Sequence, residues 1–360
     1  MKVIFIATSI FTRTVNYQFK KLGEEFTKNN IKVVYILDCP KHQLPKNTTN
    51  LTFYNWPSKR PTKVKDFIFL YKLIKKYKPY MTMSMFGAGN VMSITSYFSN
   101  VKNRIIWIRT TSKQLELDAI KKFKHKLLTI RKKAVYRLNT HIFTNSKGTL
   151  IDSIDRKYVR NQQTHVFNNL YSSSVIKYNK RVNRDNSIII AGRIHYSKGH
   201  IPLIKQFKDV LLKFPNLKLT IIGCGNLKNR IITYSREINV YENLIFKESL
   251  PQRELFKQYS KSLITINASI SESFGNTLVE SLREGTPIIA TKTEGSSEII
   301  NNKNGLFYSN ELKYSLLNCV TNIMSDWEQY SKNALISFHD KFKIEHKIGA
   351  YADEILENIS

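Results

Sequence analysis

Short apolar runs rich in β-branched residues alternate with longer helical patterns along nearly the whole chain, and this alternation limits the possible folds. In the first half, the apolar runs Val3–Ala7, Ile31–Leu37 and His141–Thr144 are separated by helical patterns such as Val64–Tyr77. Continuous apolar strands that alternate with helices form parallel sheets covered on both faces. A second alternation starts at Ile188–Ala191. The sequence therefore predicts an α/β fold with two doubly wound parallel sheets in tandem.

A polar stretch separates the two alternations. Residues 174–186 lack a sustained apolar period, and a length of 360 residues favours two domains. We predict a first domain at 1–173, a linker at 174–186, a second domain at 187–340, and a C-terminal helix at 341–360 that can return to the first domain. Ligands of such sheets bind beyond the carboxyl ends of the strands, so a cleft between the domains is the expected site. Other predicted elements are strands 51–54, 80–84, 105–108, 217–222, 244–246, 263–267 and 287–290, and helices 115–138, 200–214 and 252–259.

The positive charge of the chain is concentrated in its first half. Residues 1–180 contain 34 Lys and Arg against 8 Asp and Glu, a net of +26, whereas residues 181–360 contain 23 against 19, a net of +4. The first half should therefore face an anionic partner, either nucleic acid or an anionic membrane. Lys59–Lys78 and Lys113–Arg137 are basic helical patterns with apolar residues, as in helices that lie on a bilayer. The alternative is that both are ordinary surface helices packed on the sheet.

Cysteine use and the apolar segments exclude several classes of protein. Cys39, Cys224 and Cys319 form no CxxC pair, so neither a disulfide framework nor a structural zinc site is indicated, and a reducing cytoplasm fits. The apolar run Lys2–Thr8 is too short for a signal-peptide core. Pro79–Val101 lacks charge but contains many Ser, Thr, Gly and Asn residues, unlike a membrane span. Any membrane association is therefore expected to be peripheral.

Two loops of the second half have residues suited to a nucleotide. Arg193 and Lys198 directly follow a predicted strand and precede a helix, a position from which two cations can hold a diphosphate. A solvated basic loop is the alternative interpretation. Gly223 and Gly225 end another strand, but a dinucleotide fingerprint would need a third glycine where Lys228 stands. A tight strand-to-helix turn is the preferred role of this glycine pair, and backbone approach to a nucleotide is a second interpretation.

The segment 269–300 has the strongest pattern. Glu272 and Glu280 are eight residues apart, and Gly275 and Asn276 lie between them at a predicted helix start. Free backbone amides there can point at phosphate oxygens, Glu280 can accept hydrogen bonds from a ribose diol, and Glu272 can bind sugar hydroxyls. The alternative is that both glutamates are surface carboxylates at helical spacing.

These residues resemble the retaining nucleotide-sugar glycosyltransferases of glycosyltransferase family 4, also called glycosyl transferases group 1. The resemblance is densest over Ile188–Phe307 and weak in the first half. Arg193 and Lys198 match the pair that holds the donor diphosphate, and Glu272 and Glu280 match the E-x7-E signature. The resemblance implies the GT-B fold, in which two Rossmann-like domains face a central cleft.

The resemblance also implies residue roles. Arg193, Lys198 and Glu272 are the implied catalytic residues, with Glu272 on the donor sugar, and Glu298 lies in a Gly-x-x-Glu loop. The backbone at 274–276 would hold phosphate oxygens, and Glu280 would bind the ribose. The implied donor-binding residues are Gly192, Gly223, Gly225, Phe274, Gly275, Asn276, Thr277 and Glu280.

The first half departs from this family in two places. The family often has a Gly-Gly loop after the first strand, where this chain has Ser9–Asn16. It also often has a His where Arg109 or Thr110 stands. Arg109 and Arg13 are therefore the candidate acceptor-side residues, with an ordinary salt-bridged arginine as the alternative for Arg109.

The resemblance predicts a retaining, metal-independent transferase that needs no cofactor and uses no protein nucleophile. The default expectations are a UDP-sugar donor and a lipid-linked saccharide acceptor in bacterial surface polysaccharide synthesis, such as capsule, exopolysaccharide or O-antigen. The expected location is the cytoplasm, peripheral on the inner face of the cell membrane. The alternatives are a basic nucleic-acid-binding protein, which the acidic E-x7-E loop and the lack of a known binding motif disfavour, and a non-catalytic GT-B partner subunit.

Overall fold

The structure, a computed structural model, describes residues 1–8, 13–117, 122–174, 181–309, 311 and 315–359, with only the backbone of 13–15, 41 and 122–126. The chain divides into two compact units. The first consists of the described parts of 1–112, 119–171 and 344–360, and the second of the described parts of 113–118 and 172–343. The predicted linker at 174–186 lies partly outside the described residues.

The first unit is built on a parallel sheet in the order β3-β2-β1-β4-β5-β6-β7. All of its strands except the two at the edges are buried on both faces, which requires helices on both sides. The strands are β1 (Val3–Ala7), β2 (Lys32–Leu37), β3 (Leu51–Asn55), β4 (Met81–Met85), β5 (Asn103–Ile108), β6 (His141–Thr144) and β7 (Gln163–Val166), and the helices are α1 (Arg13–Lys28), α2 (Val64–Tyr77), α3 (Ala88–Phe98), α5 (Lys122–Tyr136) and α6 (Lys147–Asp155). Between β5 and α5, the short helix α4 (Ser112–Leu117) begins at the last residue of the 1–112 part, and its other residues are grouped with the second unit.

Alternate residues of the inner strand β1 pack on opposite helix layers. Ile4 and Ile6 belong to the core that includes α1, whereas Phe5 packs with α2 and α3. The last helix of the chain, α14 (Ile344–Glu357), contributes Ile348 to the same core as α1. The C-terminal helix therefore belongs to the first unit.

The second unit has a parallel sheet in the order β10-β9-β8-β11-β12-β13. Its core is formed by isoleucine and leucine side chains of the strands packed against the helices. Its elements are β8 (Ser187–Ala191), α7 (His200–Lys213), β9 (Lys218–Ile222), α8 (Lys228–Glu237), β10 (Leu244–Lys247), α9 (Gln252–Lys261), β11 (Ile264–Asn267), α10 (Asn276–Arg283), β12 (Ile288–Ala290), α11 (Ser296–Ile299), β13 (Gly305–Phe307), α12 (Leu316–Ser325) and α13 (Trp327–Lys341).

The predicted fold class is confirmed, because both units are doubly wound parallel sheets. One helix predicted at 115–138 is described instead as α4 and α5, and residues 118–121 between them lie outside the described part. Among the described residues, no helix has the length and apolar character that a bilayer crossing needs.

Candidate functional site

The loop between β8 and α7 is held against two neighbouring strands. The Gly192 amide donates to the Ile222 carbonyl at 2.9 Å, and its φ of 148° lies in a region that favours glycine. Gly199 has a φ of 63°, and a Cβ there would lie 2.0 Å from the carbonyl oxygen of Ala268. Both positions therefore favour glycine. At Gly199 the absence of a side chain lets the loop approach the end of β11, and this places the preceding Lys198 beside that strand end.

Lys198 forms an ion pair with Glu272. Its Nζ donates to Glu272 Oε2 at 2.6 Å, and the two side chains are only 16% and 13% exposed. Ser269 Oγ also donates to Glu272 Oε2, at 3.3 Å. Two residues that are 74 positions apart in sequence are thus held together.

A cavity of about 150 Å³ lies beside this pair, beyond the carboxyl ends of β8 and β11. These two strands are neighbours, and the strand order reverses between them, since β9 and β10 follow on one side and β12 and β13 on the other. Such a switch point is where open parallel sheets bind ligands. The lining residues are Ile190, Ala191, Gly192, Lys198, His200, Ile266, Asn267, Ala268, Ser269, Glu272, Asn276 and Thr277.

The N-terminus of α10 forms one wall of the cavity. Gly275 caps this helix with a φ of 98°, and Asn276 and Thr277 of the first turn line the cavity. A Cβ on Gly295 would lie 2.6 Å from backbone atoms of Phe274, so the second glycine loop is packed directly on the turn before α10. A helix N-terminus carries partial positive charge, which favours an anion at this wall.

His200 lines the cavity and was missed by sequence reasoning. It is the first residue of α7, its side chain is buried, and neither ring nitrogen has a hydrogen-bond partner among the described residues. Burial first, and then the charge of Lys198, lower the pKa of His200 to about 4. The imidazole is therefore neutral near pH 7. Its position directly after Lys198 and Gly199 is the only sequence signal that points to it.

Glu280 lies inside α10 rather than on the cavity wall. Its side chain is buried, and Tyr259 Oη donates to Glu280 Oε2 at 3.4 Å. Burial raises the pKa of Glu280 to about 8, against the lowering effects of the Tyr259 hydrogen bond and the Arg283 charge. The carboxyl group is therefore largely protonated at neutral pH. The predicted ribose contact would require a ligand to enter beside α10 and reach this carboxyl group.

We expect Glu280→Gln to remove a pH-dependent loss of stability. Between pH 4.5 and 8 the unfolded chain ionises this carboxyl while the folded chain keeps its proton, so the free energy of unfolding decreases as pH rises. The variant should be more stable than the wild type at pH 8, by roughly 4 kcal/mol, and similar to it near pH 4.5. Urea unfolding at both pH values measures this. The exposed Glu237→Gln on α8 is the matched control, and equal gains in both variants would refute the burial argument.

The turn after β9 packs against the β8–α7 loop. A Cβ on Gly223 would lie 1.9 Å from the Gly192 carbonyl oxygen, and one on Gly225 would lie 2.1 Å from that of Ile194. Beside this turn, exposed Cys224 donates its thiol to Glu248 at 2.7 Å. The two glycines therefore let this turn pack directly on the backbone of the β8–α7 loop, and their contact with a nucleotide stays a prediction.

The predicted site residues fall into two groups. The cavity brings together Gly192, Lys198, Glu272, Asn276 and Thr277. The other predicted residues are not among those that line it: Gly223, Gly225, Gly275 and Glu280 lie as described above, Phe274 is buried, Arg193 is exposed, Glu298 is in α11, Arg109 is buried in the first unit, and the Arg13 side chain lies outside the described part.

Arg109 is held by an uncharged partner. Its guanidinium donates to Asn169 Oδ1, and burial, its main perturbation, lowers the pKa of Arg109 to about 10. It remains charged at neutral pH. A hydrogen bond to an amide, rather than a salt bridge to a described carboxylate, thus fixes at least part of this side chain.

Comparisons with known proteins find a family match over the second unit. Residues 175–335 match the family described as Glycosyl transferases group 1. An uncharacterized glycosyltransferase of Methanocaldococcus jannaschii is 25% identical over 74% of this chain and 70% of its own length. The capsular polysaccharide biosynthesis glycosyltransferase CapM of Staphylococcus aureus is 24% identical over 78% and 77%. A Campylobacter jejuni N-acetylgalactosaminyltransferase named for a diphospho-undecaprenol substrate is 26% identical over 42% and 40%.

Solved structures share the whole fold. Sucrose-phosphate synthase of Thermosynechococcus elongatus superposes with a TM-score of 0.77 and 14% identity over 100% of this chain and 99% of its own. HepE of Anabaena, in complex with UDP and glucose, gives a TM-score of 0.74 and 12% identity over 99% and 100%. The chain therefore has the GT-B fold, with its two Rossmann-like domains.

Proposed function

We propose that this chain moves a sugar from a nucleotide-sugar donor to a saccharide acceptor, because residues 175–335 match the family described as Glycosyl transferases group 1. The observation that carries the proposal is the Lys198–Glu272 pair beside a cavity at the topological switch point of the second sheet. Assignment to glycosyltransferase family 4 rests on the motif resemblance.

The cavity supplies the groups that a departing diphosphate needs. Lys198 offers a fixed cation, and the N-terminus of α10 offers partial positive charge, so negative charge that develops on the leaving group is stabilised without rearrangement. Glu272 orients Lys198 in the free protein and can accept hydrogen bonds from donor-sugar hydroxyls. Arg193 stands on the same loop, exposed, where it can reach a phosphate of an incoming donor.

Retention of anomeric configuration is part of the proposal. No protein nucleophile is assigned, so the acceptor hydroxyl attacks on the leaving-group side and the departing phosphate takes its proton. A metal ion is not needed in this scheme, because Lys198 and the helix N-terminus serve the diphosphate.

The donor and acceptor are proposed from the relatives. A UDP-sugar is favoured because the superposable HepE binds UDP and glucose. A lipid-linked saccharide acceptor in surface polysaccharide synthesis is favoured by the names of CapM and of the Campylobacter enzyme. Such a reaction would take place on the cytoplasmic face of the cell membrane, where we place the protein as a peripheral component.

Thermal unfolding in the presence of nucleotides tests the proposed donor site. A ligand at 100 times its dissociation constant adds about 2.7 kcal/mol to the free energy of unfolding, which should raise the Tm by roughly 5 °C in a chain of this size. We expect this rise with UDP or another nucleoside diphosphate and none with the nucleoside alone. If no nucleoside diphosphate changes the Tm, the transferase proposal is wrong.

A further inference from the structure

Helix α2 turns an apolar and basic face towards solvent. Val64, Ile68 and Tyr71 recur at helical spacing on this face and are 74%, 50% and 47% exposed. Lys65, Lys72 and Lys75 are exposed beside them. The opposite face of α2 contributes Leu70, Leu73 and Ile74 to the core under the sheet. The helix therefore has two apolar faces, and the structure of this chain covers one of them.

Helix α5 has the same property, and it lies on the same side of the sheet. Leu127 and Ile130 are 57% and 61% exposed, with Arg131 exposed next to them. Both α2 and α5 contact α3, which ends in Phe98 at 77% exposure. The exposed apolar side chains thus occur on neighbouring helices of one layer, and we name the outer side of α2 and α5 the basic face.

The basic face has almost no compensating negative charge. Residues 67–115 and 119–151 contain no Asp or Glu at all. Asp66 in α2 is buried, where it accepts hydrogen bonds from the backbone amides of Thr62 and Lys63 at the helix start. The lysines of α2 form no salt bridge with any described carboxylate. This layer is therefore suited to an anionic surface.

We propose that the basic face docks on a bilayer that contains anionic lipid, with Val64, Ile68 and Ile130 inserted at headgroup depth and the lysines on lipid phosphates. Amphipathic basic helices bind membranes in this way. The inference rests on the proposed function, since it supplies the surface from which a lipid-linked acceptor would be reached. A nucleic acid would use the lysines but not the exposed aliphatic side chains, and a second copy of this face would be repelled by its like charge.

Vesicle co-sedimentation tests the basic face. The wild type should bind vesicles with about one-third phosphatidylglycerol at least tenfold more strongly than pure phosphatidylcholine vesicles, and salt should weaken this binding. The triple variant Lys65→Gln, Lys72→Gln, Lys75→Gln should bind about 100-fold more weakly, because each lysine near the surface contributes roughly fivefold. The matched control, Lys205→Gln, Lys208→Gln, Lys213→Gln on α7 of the second unit, removes the same charge from exposed positions and should bind within about threefold of the wild type.

Two exposed aliphatic residues test insertion. Val64→Ser with Ile68→Ser should lower binding about tenfold even at high salt, because less apolar surface leaves water. The control Leu212→Ser removes an 81% exposed side chain on α7 and should have no effect. Equal losses in test and control variants, equal binding to neutral vesicles, preferential binding of duplex DNA, or a solution dimer that covers this face would each overturn the proposal.

A nucleotide readout separates this inference from the proposed function. The triple variant of α2 should keep the full UDP-induced rise in Tm, because its substitutions lie in the first unit, far in sequence from the cavity residues. A wild type that responds to UDP but fails to bind anionic vesicles overturns the docking face alone. A wild type that binds vesicles without responding to any nucleoside diphosphate overturns the transferase alone.

Discussion

Replacing Lys198 with alanine should reduce sugar transfer at least ~100-fold, the scale of losing one preorganised group that stabilises transition-state charge. Lys198 is the only cation among the residues that line the described cavity, and its removal also leaves the Glu272 carboxylate without its 2.6 Å partner. The loss should therefore appear in kcat/KM. Steady-state kinetics with a nucleotide-sugar donor measures it.

The control for this substitution is Lys205→Ala. Lys205 is exposed on α7, the helix that follows Lys198, and is not among the residues that line the cavity. Its loss therefore removes an equal charge without touching the Lys198–Glu272 pair. Transfer by this variant should remain within about twofold of the wild type. Near wild-type transfer by Lys198→Ala would remove the leaving-group role assigned to this lysine.

Gly223→Ala should cause the largest loss of stability. Gly223 has a φ of 142°, and its Cβ would meet the Gly192 carbonyl oxygen at 1.9 Å, a backbone atom that cannot rotate away. Backbone strain and overpacking together should cost about 3 kcal/mol. The two loops must separate, which displaces a wall of the cavity, so UDP binding should also weaken by more than tenfold. Chemical unfolding and UDP titration measure the two effects.

Gly349→Ala is the matched control. Gly349 lies in α14, and a Cβ there would have no atom within 4 Å. Alanine is the better helix former, so this substitution should stabilise the chain by about 0.5–1 kcal/mol. If both substitutions had similar effects, the close approach of the two glycine loops would not be a constraint on this fold.

The sequence was sufficient to predict the fold class because its strands are short, apolar and regularly separated. The predicted strand Val3–Ala7 and helix Val64–Tyr77 have the observed bounds. Helix α3 was not predicted because it lacks the usual contrast between a charged face and an apolar face. It has no charged side chain, and its serines and threonines are largely buried. Strand β13 has three residues and follows a turn, which leaves too few positions for a period to appear.

Part of the site was predicted from the fixed spacing of its motifs rather than from the alternation of strands and helices. Lys198 and Glu272 stand in motifs with fixed spacing, and the structure brings them together. His200 was missed because a single histidine after a glycine carries no pattern, and its role depends on burial that only the fold creates. Arg193, Glu280 and Arg109 remain predictions, since their contacts to a donor or acceptor depend on a bound ligand.

The most direct test of the central claim, that the Lys198–Glu272 cavity holds the donor diphosphate, is the UDP-induced change in Tm of three proteins. UDP should raise the Tm of the wild type and of Lys205→Ala equally. In Lys198→Ala the rise should be smaller by at least half, because one charge-assisted contact to phosphate is lost. Uridine should raise the Tm of none of them. An undiminished rise in Lys198→Ala would contradict the claim.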